Sequence, residues 1–316
     1  MGYKLARCEV LGDLEIDPKM NKLYVKNHHP KYNYLMDIRE FNKIPDEEIP
    51  EELKHLDILD GSPPCTTFSM AGKREDSWGK KKKFREGQAE QTLDDLSFVF
   101  IETAKKLKPK VVIMENVEGL LLGEAFTYVQ RIYKEFAEGG YKVKHWLCKG
   151  ENMGIPQRRH RVFFVATRLD FDINKINMVF DYEPITYGEI KEGNLTPLKE
   201  GSLSWDICKN ATDKDSSIAD TRVRLGQKGG AFQTYYIRDN EILPTLRSKP
   251  NIIDINKIGW VSWQTLRNSQ TFPSDYDYIK FGRDNVGYVC GMSVPPVMMK
   301  RIVTRVIESG IFEVRE

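Results

Sequence analysis

The stretch VVIMENV (111–117) is apolar through Met114 and is closed by Glu115 and Asn116. Seven residues are too few for a stable helix. The run also lacks the apolar-polar alternation of a half-wet strand, so it predicts a strand buried on both faces. Three other short runs read as strands: CEVLGDLEI (8–16), HLDILDGSPP (55–64) and RVFFVATR (161–168). Longer amphipathic stretches lie between them. Residues 18–30 predict a helix with Pro18 near its first turn and Met20, Leu23 and Tyr24 on one face. Residues 92–110 predict another, with Thr92 and Asp95 as a capping box, lysines in the last turn and Pro109 as its stop. Residues 126–138 predict a third. Strands alternating with helices imply an α/β fold with a parallel sheet covered on both faces. Ligands of such sheets bind beyond the C-terminal strand ends. The loops after the predicted strands carry Glu15, Pro64-Cys65 and Glu115-Asn116, which places three polar groups on one edge.

Past residue 170 the regularity fails. Residues 170–250 are rich in Asn, Asp, Gly, Ser and Thr, with short strand-like runs such as AFQTYYI (231–237). A smaller, irregular second domain is expected at 170–254, beside a main domain of 1–169 plus 255–316. Helical periodicity returns over 294–312, where Pro295-Pro296 marks a start.

A chain of 316 residues accommodates one large domain, or one large and one small. No run of 18 apolar residues predicts a membrane span, and the N-terminus has no long apolar core of a signal peptide. The net charge of +2 neither requires nor excludes nucleic acid. The charge is clustered, however, in KREDSWGKKKKFR (73–85), with Lys80–Lys83 unbroken, and in QRRHR (157–161). Either cluster can neutralise phosphates, although a lone lysine run more often forms a solvated loop. Five cysteines, odd in number and without CxxC spacing, signal neither a zinc site nor a disulfide framework. No metal is expected, and a reducing, intracellular compartment fits best.

Cys65 follows Gly-Ser-Pro-Pro at a strand end. A lone cysteine is more often a small buried hydrophobe than a nucleophile. Its surroundings alter that expectation: GSPPCTTFSMAG resembles the catalytic loop of the cytosine carbon-5 DNA methyltransferases, whose signature Pro-Cys-x-x-Phe-Ser falls on Pro64, Cys65, Phe68 and Ser69, with Pro63 before it. MENVEGL is similar to the family's Glu-Asn-Val block at Glu115, Asn116 and Val117. GIPQRRHRVFFV is similar to its Gln-x-Arg-x-Arg block at Gln157, Arg159 and Arg161. Three blocks in family order, each on the expected element, make a specific signal. The likeness runs from about residue 5 to 169 and resumes from about 243 to 310.

The resemblance implies a Rossmann-like S-adenosylmethionine-dependent methyltransferase sheet with a second, smaller target-recognition domain. It also implies a chemistry. Carbon 5 of cytosine is too weak a nucleophile to take a methyl group from a sulfonium, and thiolate addition at carbon 6 makes the ring an enamine. Cys65 is expected to add. Glu115 is expected to act as the acid at ring nitrogen 3. Arg159 and Arg161, two apart and so on one face of a strand, are expected to meet the cytosine carbonyl oxygen and brace the catalytic loop. For S-adenosylmethionine, Glu15 matches the ribose-binding acid, Ile16 the residue packed on adenine, and Asp37-Ile38 the motif that reads the adenine amino group. Pro64 matches a cofactor contact. Leu96 is either an apolar cofactor contact or a core residue. The partner implied is double-stranded DNA with its target base flipped out, over which the loop bearing Lys80–Lys83 would close.

The chain departs from the family at its start. The Phe-x-Gly-x-Gly-Gly block that follows the family's first, central strand is absent, so the flanking strand edges are expected to be unpaired. A preceding segment or a second chain is the expected source of that strand. Near the other end, Gln264 and Thr265 stand where the family has Arg-Glu, and Met292 stands where it has Asn. The expected activity is DNA cytosine-5 methylation in a bacterial or phage restriction-modification setting, in the cytoplasm. The rivals are a tRNA cytosine-5 methyltransferase, against which Ser69 argues, and a non-catalytic or split DNA-binding relic.

Overall fold

Asp17 sets the first long helix of the computed structural model, which describes residues 1–63, 95–228, 230 and 233–314. A short helix, α1 (Gly2–Leu5), and a strand, β1 (Gly12–Glu15), precede it. The Asp17 carboxylate accepts from the Lys19 and Met20 N–H groups, and Pro18 takes the first position of α2 (Pro18–His28). Asn21, Leu23 and His28 are the residues α2 buries; of the expected Met20–Leu23–Tyr24 face, Leu23 is buried and Met20 and Tyr24 are half-buried. The inward Asn21 is tolerated because its amide donates to Asp13 and Asn33 on the strands beside it. β2 (Tyr32–Leu35) pairs parallel with β1, Gly12 opposite Tyr32 and Glu15 opposite Leu35. Asp37 then caps α3 (Ile38–Lys43).

β3 (Ile58–Gly61) precedes α4 (Leu96–Leu107) and β4 (Val111–Val117). The capping box expected for α4 is not formed as read: Thr92 lies outside the described residues, and Asp95 immediately precedes the helix without capping it. Its carboxylate instead meets the Arg39 guanidinium at 2.5 Å. Lys108, in the left-handed region, ends the helix before Pro109. α5 (Phe126–Glu138) has the extent its periodicity predicts. β5 (Lys142–Lys149), which the sequence reading had not found, β6 (Gln157–Arg158) and β7 (His160–Thr167) follow.

One sheet has the order β3-β4-β7-β5. β3 runs parallel to β4, but β7 runs antiparallel to it, from Val111 opposite Thr167 to Val117 opposite Arg161. The expected all-parallel sheet is therefore mixed. Strand direction was not encoded in the apolar pattern, because β4 and β7 are buried on both faces in either sense. Val112 and Met114 of β4, and Val162, Phe164 and Ala166 of β7, face a layer of α4 and α5 that includes Ile101, Ala104, Ile132 and Phe136. Ile113, Phe163 and Val165 are equally buried on the other face. β1 and β2 form a separate two-stranded sheet. Among the described residues β1 pairs only with β2 and β3 only with β4. Leu14 of β1 and Leu59 of β3 nonetheless pack on one cluster, around Phe41, Ile49, Leu53 and Leu107. These elements belong to a compact unit of Arg7–Cys148, His160–Val179 and Ile302–Glu316.

The second unit comprises Met1–Ala6, Lys149–Arg159 and Phe180–Arg301. Its elements are short: α6 (Tyr187–Ile190), β8 (Thr196–Pro197), α7 (Leu203–Lys209), α8 (Ile218–Arg224), β9 (Tyr235–Ile237), β10 (Leu243–Pro244), β11 (Ile252–Asp254), β12 (Gly259–Trp260), α9 (Trp263–Ser269) and α10 (Arg283–Met292). Ser202 and Ser217 cap α7 and α8. A sheet of order β8-β12-β11-β9 packs Tyr236 and Ile253 against Leu198, Ile207, Cys208 and Ile218. The last helix, α11 (Pro296–Glu308), begins at the expected proline.

Asp215 ties the second unit's loop to α8. Its buried carboxylate accepts from Arg224 at 2.8 Å and from the Thr212 N–H at 2.8 Å. Hydrogen bonding by Arg224, with the Thr212 amide, holds this carboxyl down at about 2. A depressed acid stabilises the fold above the unfolded value near 4, and that contribution is lost as pH falls toward 2. Asp215→Asn should therefore lower the melting temperature at pH 7, with the gap to the parent chain closing between about pH 4 and 2. A gap that stayed constant over that range in thermal melts would contradict this role.

Candidate active site

β4 carries four residues of almost no exposure, Val111 to Met114, and then turns polar while still within the strand. Glu115 and Asn116 are thus strand residues opposite Phe163 and Val162, inside the expected strand 111–117 and not in the loop after it. Arg161 lies opposite Val117, so Glu115 is its diagonal neighbour on the same face, two residues along. The Arg161 Nε donates to the Glu115 Oε1 at 2.7 Å, with the two side chains only 14% and 13% exposed. The Arg161 Nη1 also donates to the His160 carbonyl at 2.7 Å. Removing one partner of such a shielded pair leaves an uncompensated charge, at a cost of about 3–5 kcal/mol. Facing the other way along the backbone, His160 meets Glu118 at 3.1 Å, a contact that sequence reasoning missed.

Asn116 is buried and acts on the loop root. Its amide donates to the Pro63 carbonyl at 3.3 Å while its oxygen accepts from the Val117 N–H at 2.9 Å. Pro63 is the last described residue before Cys65. Gly61, at the end of β3, lies so close to α4 that a Cβ would meet the Phe100 ring at 2.5 Å. The end of β3 and the residues up to Pro63 are therefore fixed from β4 and from α4. Pro64, Cys65, Phe68, Ser69 and Lys80–Lys83 lie outside the described residues. The other four thiols are all held protonated. Burial pushes Cys148 and Cys290 up to about 12 and raises Cys208; burial and then Asp57 raise Cys8.

Gln157 and Arg159 turn their polar atoms into the second unit. The Gln157 amide donates to the Gln270 Oε1 at 2.8 Å and to the Ser269 carbonyl at 3.3 Å, and its oxygen accepts from the Leu246 N–H at 2.8 Å. Arg159, 2% exposed, donates to the carbonyls of Leu246 at 3.0 Å and of Gly291 at 3.1 Å. Thr265, at one of the family's divergent positions, is buried and hydrogen-bonds the Glu192 backbone at both its N–H and its carbonyl. Met292 is 47% exposed.

Glu15 and Asp37 stand at or just beyond the C-terminal ends of the two adjacent parallel strands β1 and β2. Glu15 accepts from the Asp17 N–H at 2.8 Å; Asp37 accepts from the Arg39 N–H at 2.8 Å. Ile16 and Ile38 follow them, and Ile38 packs on the main core. Two carboxylates with apolar neighbours at parallel strand ends make a pair of acceptors suited to ribose hydroxyls and an adenine amino group. Leu96, the first residue of α4, is 6% exposed, which fits the core reading of that residue. No cluster of three or more His, Cys, Asp or Glu residues able to hold a metal occurs among the described residues. No helix among them is long and apolar enough to cross a membrane.

The family model of the C-5 cytosine-specific DNA methylases matches residues 1–260. Type II methyltransferase M.FnuDI of Fusobacterium nucleatum is 31% identical over 244 residues, which cover 77% of this chain and 63% of that one. Type II methyltransferase M.NgoMIV of Neisseria gonorrhoeae is 26% identical over 324 residues, 98% of this chain and 93% of that one. Several other relatives are matched over about half their length or less. A crystal structure of Spodoptera frugiperda DNMT2 superposes with a TM-score of 0.65 at 14% identity, over 97% of this chain and 95% of that one, a likeness of fold alone. With a mixed α/β core, an acid and an arginine paired at the end of its buried strand, and a family match across most of its length, this chain belongs to the C-5 cytosine-specific DNA methylase family.

Proposed function

We propose that the chain is a DNA (cytosine-5-)-methyltransferase that modifies a cytosine flipped out of double-stranded DNA, through a covalent adduct of Cys65. The observation that carries this reading is the Glu115–Arg161 pair at the end of β4, beside an Asn116 that holds Pro63, two residues before Cys65. Ring nitrogen 3 and carbonyl oxygen 2 of cytosine are adjacent acceptors. A carboxylic acid and a guanidinium held side by side match them, Glu115 donating to nitrogen 3 and Arg161 to oxygen 2. The Cys65 sulfur adds to carbon 6 and the displaced electron pair moves to carbon 5, relieved by the proton at nitrogen 3. After carbon 5 is methylated, loss of its proton restores the double bond and expels the thiolate. Arg159, bound to backbone carbonyls of the second unit, acts as a brace. Phe68, Ser69, Val117 and Gln157 support the site, and Lys80–Lys83 contact phosphate. The relatives named type II methyltransferases favour a bacterial or phage restriction-modification setting, in the cytoplasm where the DNA lies. We assign target recognition to residues 170–254.

S-adenosylmethionine supplies the electrophilic methyl group when bound. Glu15 would accept from its ribose hydroxyls, Asp37 from its adenine amino group, and Ile16, Ile38 and Pro64 would line the adenine. One edge of β1 and one of β3 are unpaired among the described residues; both strands place a side chain in one core cluster, and these edges suit an added strand bearing a Gly-rich loop, from a preceding segment or a second chain.

Cys65→Ser should abolish methyl transfer while leaving duplex affinity nearly intact, because phosphate contacts dominate that affinity. A duplex carrying 5-fluorocytosine should trap the parent chain covalently on a denaturing gel and should fail to trap the variant. A trapped Cys65→Ser adduct, or methylation of tRNA and not of DNA, would sink the reading.

Glu115→Gln should slow single-turnover methylation roughly 10²- to 10⁴-fold at saturating cofactor. A loss under about threefold would reduce Glu115 to a structural partner of Arg161.

Residues 1–316 alone should bind S-adenosylmethionine roughly 10- to 1000-fold more weakly than a chain extended by a strand and a Phe-x-Gly-x-Gly-Gly loop. That range follows from two or three backbone hydrogen bonds at about 0.5–1.5 kcal/mol each. Equal affinities by isothermal titration would rule out a role for the added strand.

A further inference from the structure

Residues 180–301 of the second unit contain seven arginines, and carboxylates engage three of them: Arg224 with Asp215, Arg238 with Glu241, and Arg267 with Glu192. Arg283 is turned inward, donating to the carbonyls of Val261 and Pro250. Arg301 lies over the Tyr182 ring, 3.6 Å from its centroid, and Arg222 is packed beside Gly230. Arg247, like Arg301, stands against a tyrosine ring, but it is followed directly by two exposed residues, a hydroxyl and a second cation. It is half-buried, sits 5.8 Å from the centroid of the Tyr235 ring, and donates to the Tyr235 hydroxyl at 3.3 Å. No carboxylate lies within ion-pair distance of it among the described residues.

The backbone beneath Arg247 is held with unusual rigour. Leu246 is 1% exposed; Gln157 accepts its N–H and Arg159 donates to its carbonyl. On the far side α10 presses against the same stretch. A Cβ on Gly291 would fall 2.1 Å from the Arg247 carbonyl oxygen, and one on Gly287 would fall 2.6 Å from the Pro250 ring. Glycine at both positions, one helical turn apart, lets the helix close on residues 247–250. Arg283 then fixes the Pro250 carbonyl. Between these anchors Arg247, Ser248 and Lys249 follow one another, the last two exposed. Two cations and a hydroxyl thus stand on a backbone that does not need ordering on contact. The aromatic ring under Arg247 restrains its guanidinium without neutralising it.

We infer that Arg247, with Ser248 and Lys249, forms a phosphate-contacting ridge of the second unit. Gln157 and Arg159 act on DNA through this ridge as positioning residues, not by touching the base. The inference rests on the proposed DNA substrate. A phosphate is favoured over a base edge because a short irregular ridge with a bend at Ser248 and Lys249 can meet a phosphate from several directions, whereas a base edge demands one fixed geometry. The restrained fork of Arg247 suits two oxygens of one phosphodiester.

The test is duplex affinity against salt, by fluorescence anisotropy, for the full chain and for Arg247→Ala and Arg247→Lys, each checked by thermal melt. Arg247→Ala should weaken cognate and unrelated duplexes alike. It should also lower the slope of log affinity against log salt by about 0.9, the loss of one phosphate contact. Arg247→Lys should restore the slope while recovering only part of the affinity. An unchanged slope in a folded Arg247→Ala chain would overturn the ridge. Weakening confined to the cognate duplex would overturn it in favour of base reading. If the parent chain has no salt-dependent duplex affinity, the DNA substrate itself fails, a result separable from either of these.

Discussion

The antiparallel register of β4 on β7 decides what this unit can do, because it alone brings Arg161 to Glu115. Seven consecutive residue pairs set it, and a slip of one residue would send every side chain of β7 to the opposite face. On strands buried on both sides an apolar slip would cost packing only. Here it would also bury a guanidinium away from its carboxylate, a penalty of several kcal/mol. The polar pair therefore specifies the register that the apolar residues cannot specify. In turn the apolar strand holds the pair in a shielded place where its hydrogen bonds to a bound base would face little competition from water.

The same economy governs the five residues from Gln157 to Arg161. Gln157 directs its amide to Leu246, Ser269 and Gln270, and Arg159 directs two guanidinium nitrogens to the carbonyls of Leu246 and Gly291, while Arg161 turns to Glu115 and the His160 carbonyl. A block that reads in sequence as one basic cluster is thus divided between two tasks. The buried Arg159 satisfies two backbone carbonyls that are otherwise hard to satisfy in a loop. Replacing Arg159 with lysine would keep the charge but lose the fork that reaches two carbonyls at once.

Much of the main unit was legible in the sequence for a physical reason. β4, α5 and the start of α11 carry strong local signals: an unbroken apolar run, a clean 3.6-residue period and a proline at the first turn. Direction of pairing left no such mark, so β7 was expected to be parallel. β5 was missed because its lysines and aromatic residues give no clean alternation. The burial of Asn21 on α2 was not foreseen because an asparagine counts as polar until its partners on neighbouring strands are known. At the site, residue types and spacing identified Glu115, Asn116 and Arg161, and the strand 111–117 that carries the first two, but not that Arg161 pairs with Glu115 or that Asn116 holds Pro63. The contacts of Arg247 and of His160 depend on residues far away in sequence or on an adjacent strand, and no local pattern announces them.

Net charge illustrates the same point. A balance of +2 over 316 residues suggests indifference to nucleic acid. The arginines are not equivalent, however, and the sum hides it. Those of the second unit that face Asp215, Glu241 and Glu192 are already satisfied and add little to any outward field. What a polyanion meets is the residue of that internal pairing. Arg247, restrained by a tyrosine and carried on a clamped peptide, has no carboxylate partner among the described residues: ring and helix fix its position, so none is needed to do so. Where positioning comes from packing instead of ion pairing, the charge stays free for a partner. In this chain the packing that does so is a pair of glycines on α10 and two side chains of the Gln157–Arg161 block.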